Sequence, residues 1–214
     1  MTVDATEVSR PVRKRNRRGE GSLLREEILV AATSILERTG SEEAVTLRGI
    51  ARKVGIAAPS IAPHFADRTD IIDAVVAKEL AVLIEQIRVA AASEADPRKR
   101  LLAMAKAYLS FGRARPGRYR LLVGRRYVQD WQDEGRPMVE TDPLLKEAVD
   151  LVTTAIEACI YSGQSGSVDA ALDTSVLWFA LHGLVTVPEA ITSLDWPDDD
   201  RLLAACVTSA ARLK

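Results

Sequence analysis

Residues 46–65 carry the pattern that most constrains how this chain folds: T-L-R-G-I-A-R-K-V-G-I-A-A-P-S-I-A-P-H-F. Apolar residues recur at helical spacing after Thr46, a residue type that caps helix N-termini. Gly55 marks the end of this first helix, because glycine adopts a left-handed backbone without a Cβ penalty. Ala51 is small and Ile61 is apolar, as a second, closely crossing helix requires. The stretch predicts two short helices in a helix-turn-helix arrangement.

An ordinary αα-hairpin in a helical core has a similar pattern, but the neighbouring sequence favours a helix-turn-helix that enters the DNA major groove. Residues 10–18 carry six basic side chains and no acid, although the whole chain has a net charge of −1. Ahead of such a motif, a basic run typically contacts DNA phosphates or the minor groove. We therefore predict that residues 1–21 form a basic, disordered arm. Its DNA-contacting residues are Arg13, Lys14, Arg15, Arg17 and Arg18.

Residues 25–87 resemble the DNA-binding domain of the tetracycline-repressor (TetR) family of bacterial regulators. The resemblance lies in residues 31–32, Gly40, 45–47, 50–51, 54–56, 60–61, 64–65, 67–68 and 71–72. Further on, W-F-A-L-H-G at residues 178–183 is similar to the Trp-x-x-x-His-Gly (WHG) signature of one C-terminal subgroup. The resemblance implies an all-α homodimer that binds a palindromic operator and is released by a small molecule.

The second helix of the motif departs from the family pattern. Ala62 stands where the family usually has a phosphate-binding tyrosine, and Ala57 replaces a capping serine. With Pro59 and Pro63, these residues predict a short, stiff recognition helix whose apolar surface suits thymine methyl groups. We expect the DNA-contacting side chains of this part of the chain to be Thr46, Arg48, Ala57, Ala58, Pro59, Ser60, Ala62, His64 and Arg68.

The rest of the chain predicts an all-α fold, since no clean period-two segment occurs. An N-terminal three-helix helix-turn-helix domain (residues 22–68) is expected to be joined by a long helix to a C-terminal helical bundle (69–214) that binds ligand and dimerises. Predicted helix N-caps are Ser22, Asp67 or Thr69, Asp96, Ser167 and Asp198. Pro116-Gly117 is expected to force a turn, and Pro188 to close the helix that begins near residue 168.

Aromatic residues concentrate in the predicted bundle, where a small-molecule pocket would be mostly apolar with a few polar groups. For any single one of them, a place in an ordinary hydrophobic core is the favoured explanation over a ligand contact. As a set they predict a ligand pocket lined by Met104, Tyr108, Phe111, Tyr127, Trp131, Trp178 and His182.

The last two long helices carry broad apolar faces that suit a four-helix dimer interface. The residues of these faces are Leu172, Val176, Phe179, Ala180, Leu184, Leu202, Leu203, Cys206, Val207 and Ala210. Such a twofold dimer would separate its recognition elements by roughly 34–36 Å.

Several classes of protein are disfavoured by composition. No apolar run approaches the roughly 20 residues of a membrane helix, and the basic N-terminus lacks the apolar region of a secretion signal. Cys159 and Cys206 lack metal-ligand spacing, and no nucleophile, acid pair or phosphate loop is evident. We expect a cytoplasmic DNA-binding regulator with no catalytic site, metal or cofactor. The alternatives are a regulator without an effector and, much less favoured, an all-α enzyme.

Overall fold

The computed structural model describes residues 21–129 and 143–214. Within these ranges the fold is all-helical, as the sequence predicts: eight α-helices and one short 3-10 helix, with an isolated β-bridge between Ser165 and Leu213. Contacts divide the chain into two compact units, with the boundary between Asp73 and Ala74. Our domain boundary after residue 68 lies at the beginning of a helix, five residues before this division.

The first unit holds three helices and the beginning of a fourth. They are α1 (Gly21–Thr39), α2 (Leu47–Val54), the 3-10 helix (Ala58–Ile61) and the first turns of α3 (Arg68–Ala92). α2 packs against both α1 and the 3-10 helix. The largest side chains of its core are almost fully buried: Ile28, Ile35, Ile50, Ile61, Phe65, Ile71 and Ile72.

The second unit is a helical bundle built around one central helix. Beyond α3, its helices are α4 (Pro97–Ala114), α5 (Pro116–Gln129), α6 (Pro143–Tyr161), α7 (Ala170–Ala190) and α8 (Asp199–Ala210). α4 packs against α5, α6, α7 and α8, and α7 also packs against α6 and α8. α4 therefore lies at the centre of this unit, and its residues line both of the spaces described below.

Three predicted helix starts are confirmed by their hydrogen bonds. The Asp67 carboxylate accepts from the main-chain N–H of Asp70 (2.9 Å) at the start of α3. Asp96 accepts from Lys99 N (2.9 Å) before α4, and Asp198 caps α8. Each carboxylate satisfies an N–H group that the first helical turn leaves without a partner.

Four predicted boundaries are wrong. α1 already begins at Gly21, before Ser22. The cap of α7 is Asp169, whose carboxylate accepts from Leu172 N (3.0 Å); the Ser167 hydroxyl instead accepts from Asp169 N.

Two of the four involve proline. Pro116 begins α5 rather than a turn, since the first helical position needs no N–H donor. α7 continues through Pro188 to Ala190. The proline removes one hydrogen bond, but the next residues keep helical geometry and Ile191 N still donates to Val187 O (2.9 Å).

By length and composition, α7 alone among the described helices is apolar enough to cross a membrane. The core helix of a helical bundle can have the same length and the same apolar composition. Here α7 packs against three other helices of its unit.

Candidate functional site

The turn after α2 has the geometry that the sequence predicts. The Thr46 hydroxyl oxygen accepts from Gly49 N at 3.0 Å and caps α2. Gly55 has φ 79° and ψ 36°, which is the left-handed conformation, and both Gly55 N and Ile56 N donate to Ala51 O at 2.9 Å. These bonds satisfy a carbonyl at the helix end and send the chain in a new direction.

The second element of the motif, predicted as a short and stiff helix, is a 3-10 helix rather than an α-helix. Its hydrogen bonds span three residues, from Ser60 N to Ala57 O (2.9 Å) and from Ala62 N to Pro59 O (3.3 Å). Pro63 explains the difference, because it has no N–H for the four-residue bond to Pro59 O and its ring opposes α-helical geometry there. The result is a tight four-residue turn.

One side of this turn is buried in the core of the unit, and the other side is exposed to solvent. Ile61 and Phe65 are 1% and 2% exposed and bury their side chains in the unit's core. The side chains of Ala57, Pro59, Ser60 and Ala62 are exposed, whereas Ala58 and His64 are half-buried. The exposed surface therefore consists of methyl groups and a proline ring with one hydroxyl, that of Ser60. It suits contacts to thymine methyl groups and one hydrogen bond to a base edge.

Three cations of α2 are exposed beside this turn. Arg48 was predicted as a phosphate contact; Arg52 and Lys53 were not singled out from the sequence. The sequence did indicate Arg52 and Lys53 as possible phosphate contacts, since both lie in the last turn of the first helix of the motif. Arg13, Lys14, Arg15, Arg17 and Arg18 lie outside the described residues.

Arg68 has a structural position that the sequence did not indicate. Its Nε donates to Val45 O at 2.8 Å, and one terminal nitrogen donates to Glu42 O at 2.6 Å. The guanidinium also lies 3.8 Å from a Glu42 carboxylate oxygen. The observed contacts brace the loop before α2 against the beginning of α3, and the phosphate contact that we assigned to Arg68 stays a prediction.

The second unit contains a cavity of about 930 Å³ bounded by the C-terminal part of α3, by α4 and by α6. Its apolar lining consists mostly of alanines, among them Ala91, Ala92, Ala155 and Ala158, with Met104, Leu151 and Pro143 as the larger apolar residues. Its polar lining includes Arg88, Glu94, Arg100, Lys146, Glu147 and Asp150. The volume lies within the usual range of about 300–1,000 Å³ for small-molecule sites.

A second, much smaller space of about 20 Å³ lies in the same bundle, lined almost entirely by apolar atoms. Tyr108, Trp178 and Met104 line it together with Ile87, Leu101, Ala105, Val152, Thr174, Leu177 and Leu181. It has room for about one water molecule. Met104 lines both spaces, so its side chain is a common wall between the outer cavity and the inner void.

The structure brings part of the predicted pocket together. Met104, Tyr108 and Trp178 line the inner void. Phe111 is buried in the bundle and lines neither space. Trp131 and the side chain of Tyr127 lie outside the described residues.

A chain of polar side chains lies next to the void. The Tyr108 and Tyr119 hydroxyls are 2.7 Å apart, and the Tyr119 hydroxyl lies 2.6 Å from His182 Nδ1. Tyr108 also meets Trp178 edge to face, with ring centroids 5.9 Å apart. Burial lowers the pKa of His182, because desolvation disfavours the charged imidazolium. Tyr119 was not selected from the sequence, although it belongs to the group of central aromatics.

The predicted dimer face divides between surface and core. Leu172, Val176 and Phe179 are 53%, 46% and 68% exposed and follow one another at helical spacing along α7. Leu184, Leu203, Val207 and Ala210 of the same predicted faces are buried in their own unit. The first three therefore remain for contact with another molecule.

No group of three or more histidine, cysteine or acidic side chains in the described ranges has a metal-binding arrangement.

Comparisons with known proteins agree with this architecture. Residues 101–209 match the family model described as "Tetracyclin repressor-like, C-terminal domain". The chain is 31% identical over 111 residues to the nucleoid occlusion factor SlmA of Escherichia coli O1:K1 / APEC. That match covers 52% of each chain, so it spans about half the length of the curated relative.

Solved structures share the fold over most of the chain. A protein of unknown function from Rhodococcus sp. RHA1 is 26% identical with a TM-score of 0.74, covering 88% of this chain and 94% of the other. A regulatory protein in the tetR family from Rhodococcus RHA1 is 17% identical with a TM-score of 0.65, covering 88% and 95%. Since the family model spans half of the sequence, this protein belongs to the tetracyclin repressor-like family.

Proposed function

We propose that the protein is a cytoplasmic, sequence-specific DNA-binding transcriptional regulator. The observation that carries this proposal is the exposed turn Ala58–Ile61, held after a Gly55-terminated helix by the buried side chain of Ile61. A helix-turn-helix presents its second element to the major groove in this way. The relatives described as regulators support the same function.

In this proposal the exposed turn reads bases and the surrounding cations hold phosphates. Ser60 supplies the hydrogen-bonding group, and Ala57, Ala58, Pro59 and Ala62 supply apolar contacts. Thr46, Arg48, His64 and Arg68 contact the backbone of the half-site, and the basic arm of residues 1–21 adds affinity that depends on salt.

We further propose a homodimer that binds a palindromic operator as a repressor. Leu172, Val176 and Phe179 on α7 would pair with the same residues of a second copy, as a twofold interface requires. A small apolar effector in the bundle would shift α3 and change the spacing of the two DNA-binding units. Coupling of roughly 1–3 kcal/mol is usual for such linkage. Membership of the WHG subgroup stays a prediction from residues 178–183.

The experiment that tests the function is fluorescence anisotropy with DNA from immediately upstream of the protein's own gene. We expect specific DNA to bind more tightly than scrambled DNA, with affinity falling steeply as salt rises. Ser60→Ala should relax sequence preference, whereas Arg48→Gln should weaken binding to all sequences alike. Equal binding of operator and scrambled DNA at every salt concentration would contradict sequence-specific regulation at that site.

A further inference from the structure

The 930 Å³ cavity has a graded lining along one face of α4. Arg100, Met104 and Tyr108 are four residues apart, so they follow one another on that face over roughly 12 Å. Arg100 and Met104 line the outer cavity, while Met104 and Tyr108 line the inner void. The lining thus passes from a cation to a thioether and then to an aromatic ring.

Most of the charged side chains around this cavity are paired with one another. Arg88 forms ion pairs with Glu147 and Glu85, and Lys146 lies 2.5 Å from Asp150. These cations are already neutralised, so they offer little to an incoming anion.

Arg100 differs from the other lining cations. Its Nε donates to Glu94 O at 3.0 Å, and one terminal nitrogen donates to Ala95 O at 3.1 Å. Both acceptors are neutral carbonyl groups, and no carboxylate of the described residues pairs with this guanidinium. The two bonds fix its plane, and its other terminal nitrogen makes no hydrogen bond to the described part of the chain. A fixed guanidinium with remaining donors is well suited to a carboxylate.

The apolar part of the cavity has room for a narrow apolar group of a ligand. Alanines 91, 92, 155 and 158 leave space next to Met104. Methionine is flexible enough to move when a ligand arrives, and its movement would join the outer cavity to the void next to Tyr108 and Trp178. Entry of an apolar group would therefore change the surroundings of Trp178.

We propose that this cavity binds a small organic monocarboxylate, with its carboxylate on Arg100 and its apolar body extending past Met104 towards Tyr108. Glu94 is the acidic lining residue that takes no part in the ion pairs described above. Its contact with Arg100 is made by its main-chain carbonyl oxygen. The effector role of this ligand rests on the proposed function, whereas its binding does not.

The test compares two probes that differ at the proposed contact. Isothermal titration calorimetry of the full chain, without DNA, is carried out with 4-phenylbutyrate and with 4-phenyl-1-butanol. We expect the acid to bind more tightly than the alcohol and to change Trp178 fluorescence, with Trp178→Phe identifying the signal. Failure of the acid to bind, or tighter binding of the alcohol, would overturn the proposal.

Variants locate the site. Arg100→Gln should weaken binding of the acid by about tenfold and of the alcohol by less than about twofold, because only the charged contact is removed. Lys99→Gln, a neighbouring exposed cation outside the lining, is the matched control and should leave both affinities unchanged. Equal losses in the two variants would overturn the assignment to Arg100.

A further variant covers the case in which Arg100→Gln does not fold. Ala158→Phe narrows the cavity from α6 and leaves the arginine at position 100 in place, and it should weaken binding of both probes. Unchanged affinity in this variant would place the ligand elsewhere and overturn the proposal. Operator binding without any probe tests the regulator function separately. DNA binding without carboxylate binding contradicts only this inference, whereas carboxylate binding without DNA binding contradicts only the proposed function.

Discussion

Val185 of α7 packs directly over Gly112 of α4: a Cβ built on Gly112 would lie 2.6 Å from both Val185 methyl carbons. Real side chains do not approach so closely, so the two helices can pack at this distance only because residue 112 has no side chain. Gly112→Ala is expected to destabilise the bundle by about 1–3 kcal/mol through overpacking. Urea denaturation followed by circular dichroism measures the change.

The control for Gly112→Ala is Gly124→Ala in α5, where an added Cβ meets nothing within 4 Å. There, alanine should stabilise the protein by about 0.4–1 kcal/mol, because it restricts the unfolded chain. A Gly112→Ala protein as stable as the Gly124→Ala protein would show that α4 and α7 are less closely packed.

A second prediction concerns the N-terminal cap of α2. Thr46→Ala removes the hydroxyl that accepts from Gly49 N and should destabilise the first unit by about 1 kcal/mol. Thr46→Ser retains the acceptor and should keep most of the stability. Thermal unfolding monitored by circular dichroism gives both values, and equal melting temperatures for the serine and alanine variants would argue against the cap.

Variants of Arg68 and Arg52 distinguish a role in the stability of the fold from a role in DNA binding. Arg68→Gln loses the hydrogen bonds to Val45 O and Glu42 O and should cost about 1–2 kcal/mol of stability. Arg52 is exposed on α2, so Arg52→Gln should leave stability unchanged and weaken DNA binding at all sequences. Thermal melts and anisotropy titrations of both variants measure the two effects. An Arg68→Gln protein with unaltered melting temperature would remove the bracing role.

His182 makes stability depend on pH. Because burial lowers its pKa in the folded state, the unfolded chain takes up a proton as the pH falls below about 6.5 while the folded chain does not. The free energy of unfolding contributed by this group is therefore greatest above that pH and decreases as the pH falls.

His182→Asn should reduce the loss of stability between about pH 7 and pH 5.5. The wild-type protein at the same two pH values is the reference for this difference. Urea denaturation at the two pH values gives the comparison, and an unchanged pH dependence in the His182 variant would contradict the prediction.

A single charged substitution on the exposed face of α7 tests the proposed dimer interface. Phe179→Glu places a carboxylate at the centre of the proposed twofold interface and should convert the dimer to monomer, since a buried unpaired charge is costly. Analytical ultracentrifugation measures the molecular mass. Val30→Glu alters another exposed apolar residue, 61% exposed on α1, and should leave the mass unchanged. A monomeric wild-type protein would refute the dimer itself.

Local sequence signals determined the all-helical fold and several of its boundaries. The cap at Thr46, the left-handed Gly55 and the aspartate caps of α3, α4 and α8 depend on residues within four positions of one another, so their hydrogen bonds follow from the sequence nearby. Residues 57–64 follow the same rule. Pro63 lacks the N–H that an α-helix would need for a bond to Pro59 O, so the short, stiff helix predicted there is a 3-10 helix.

Only the tertiary structure decided which distant side chains meet. Tyr108, Tyr119 and His182 lie on three different helices, and their hydrogen bonds depend on how α4, α5 and α7 pack. In the same way, Arg68 turned out to brace a loop more than twenty residues earlier in the chain, although its sequence context resembled a phosphate contact. The sequence by itself determined most of the helices, several of their caps and the position of the exposed turn, because those energies are local. The cavity and the close approach at Gly112 arise from non-local packing, which no short segment encodes.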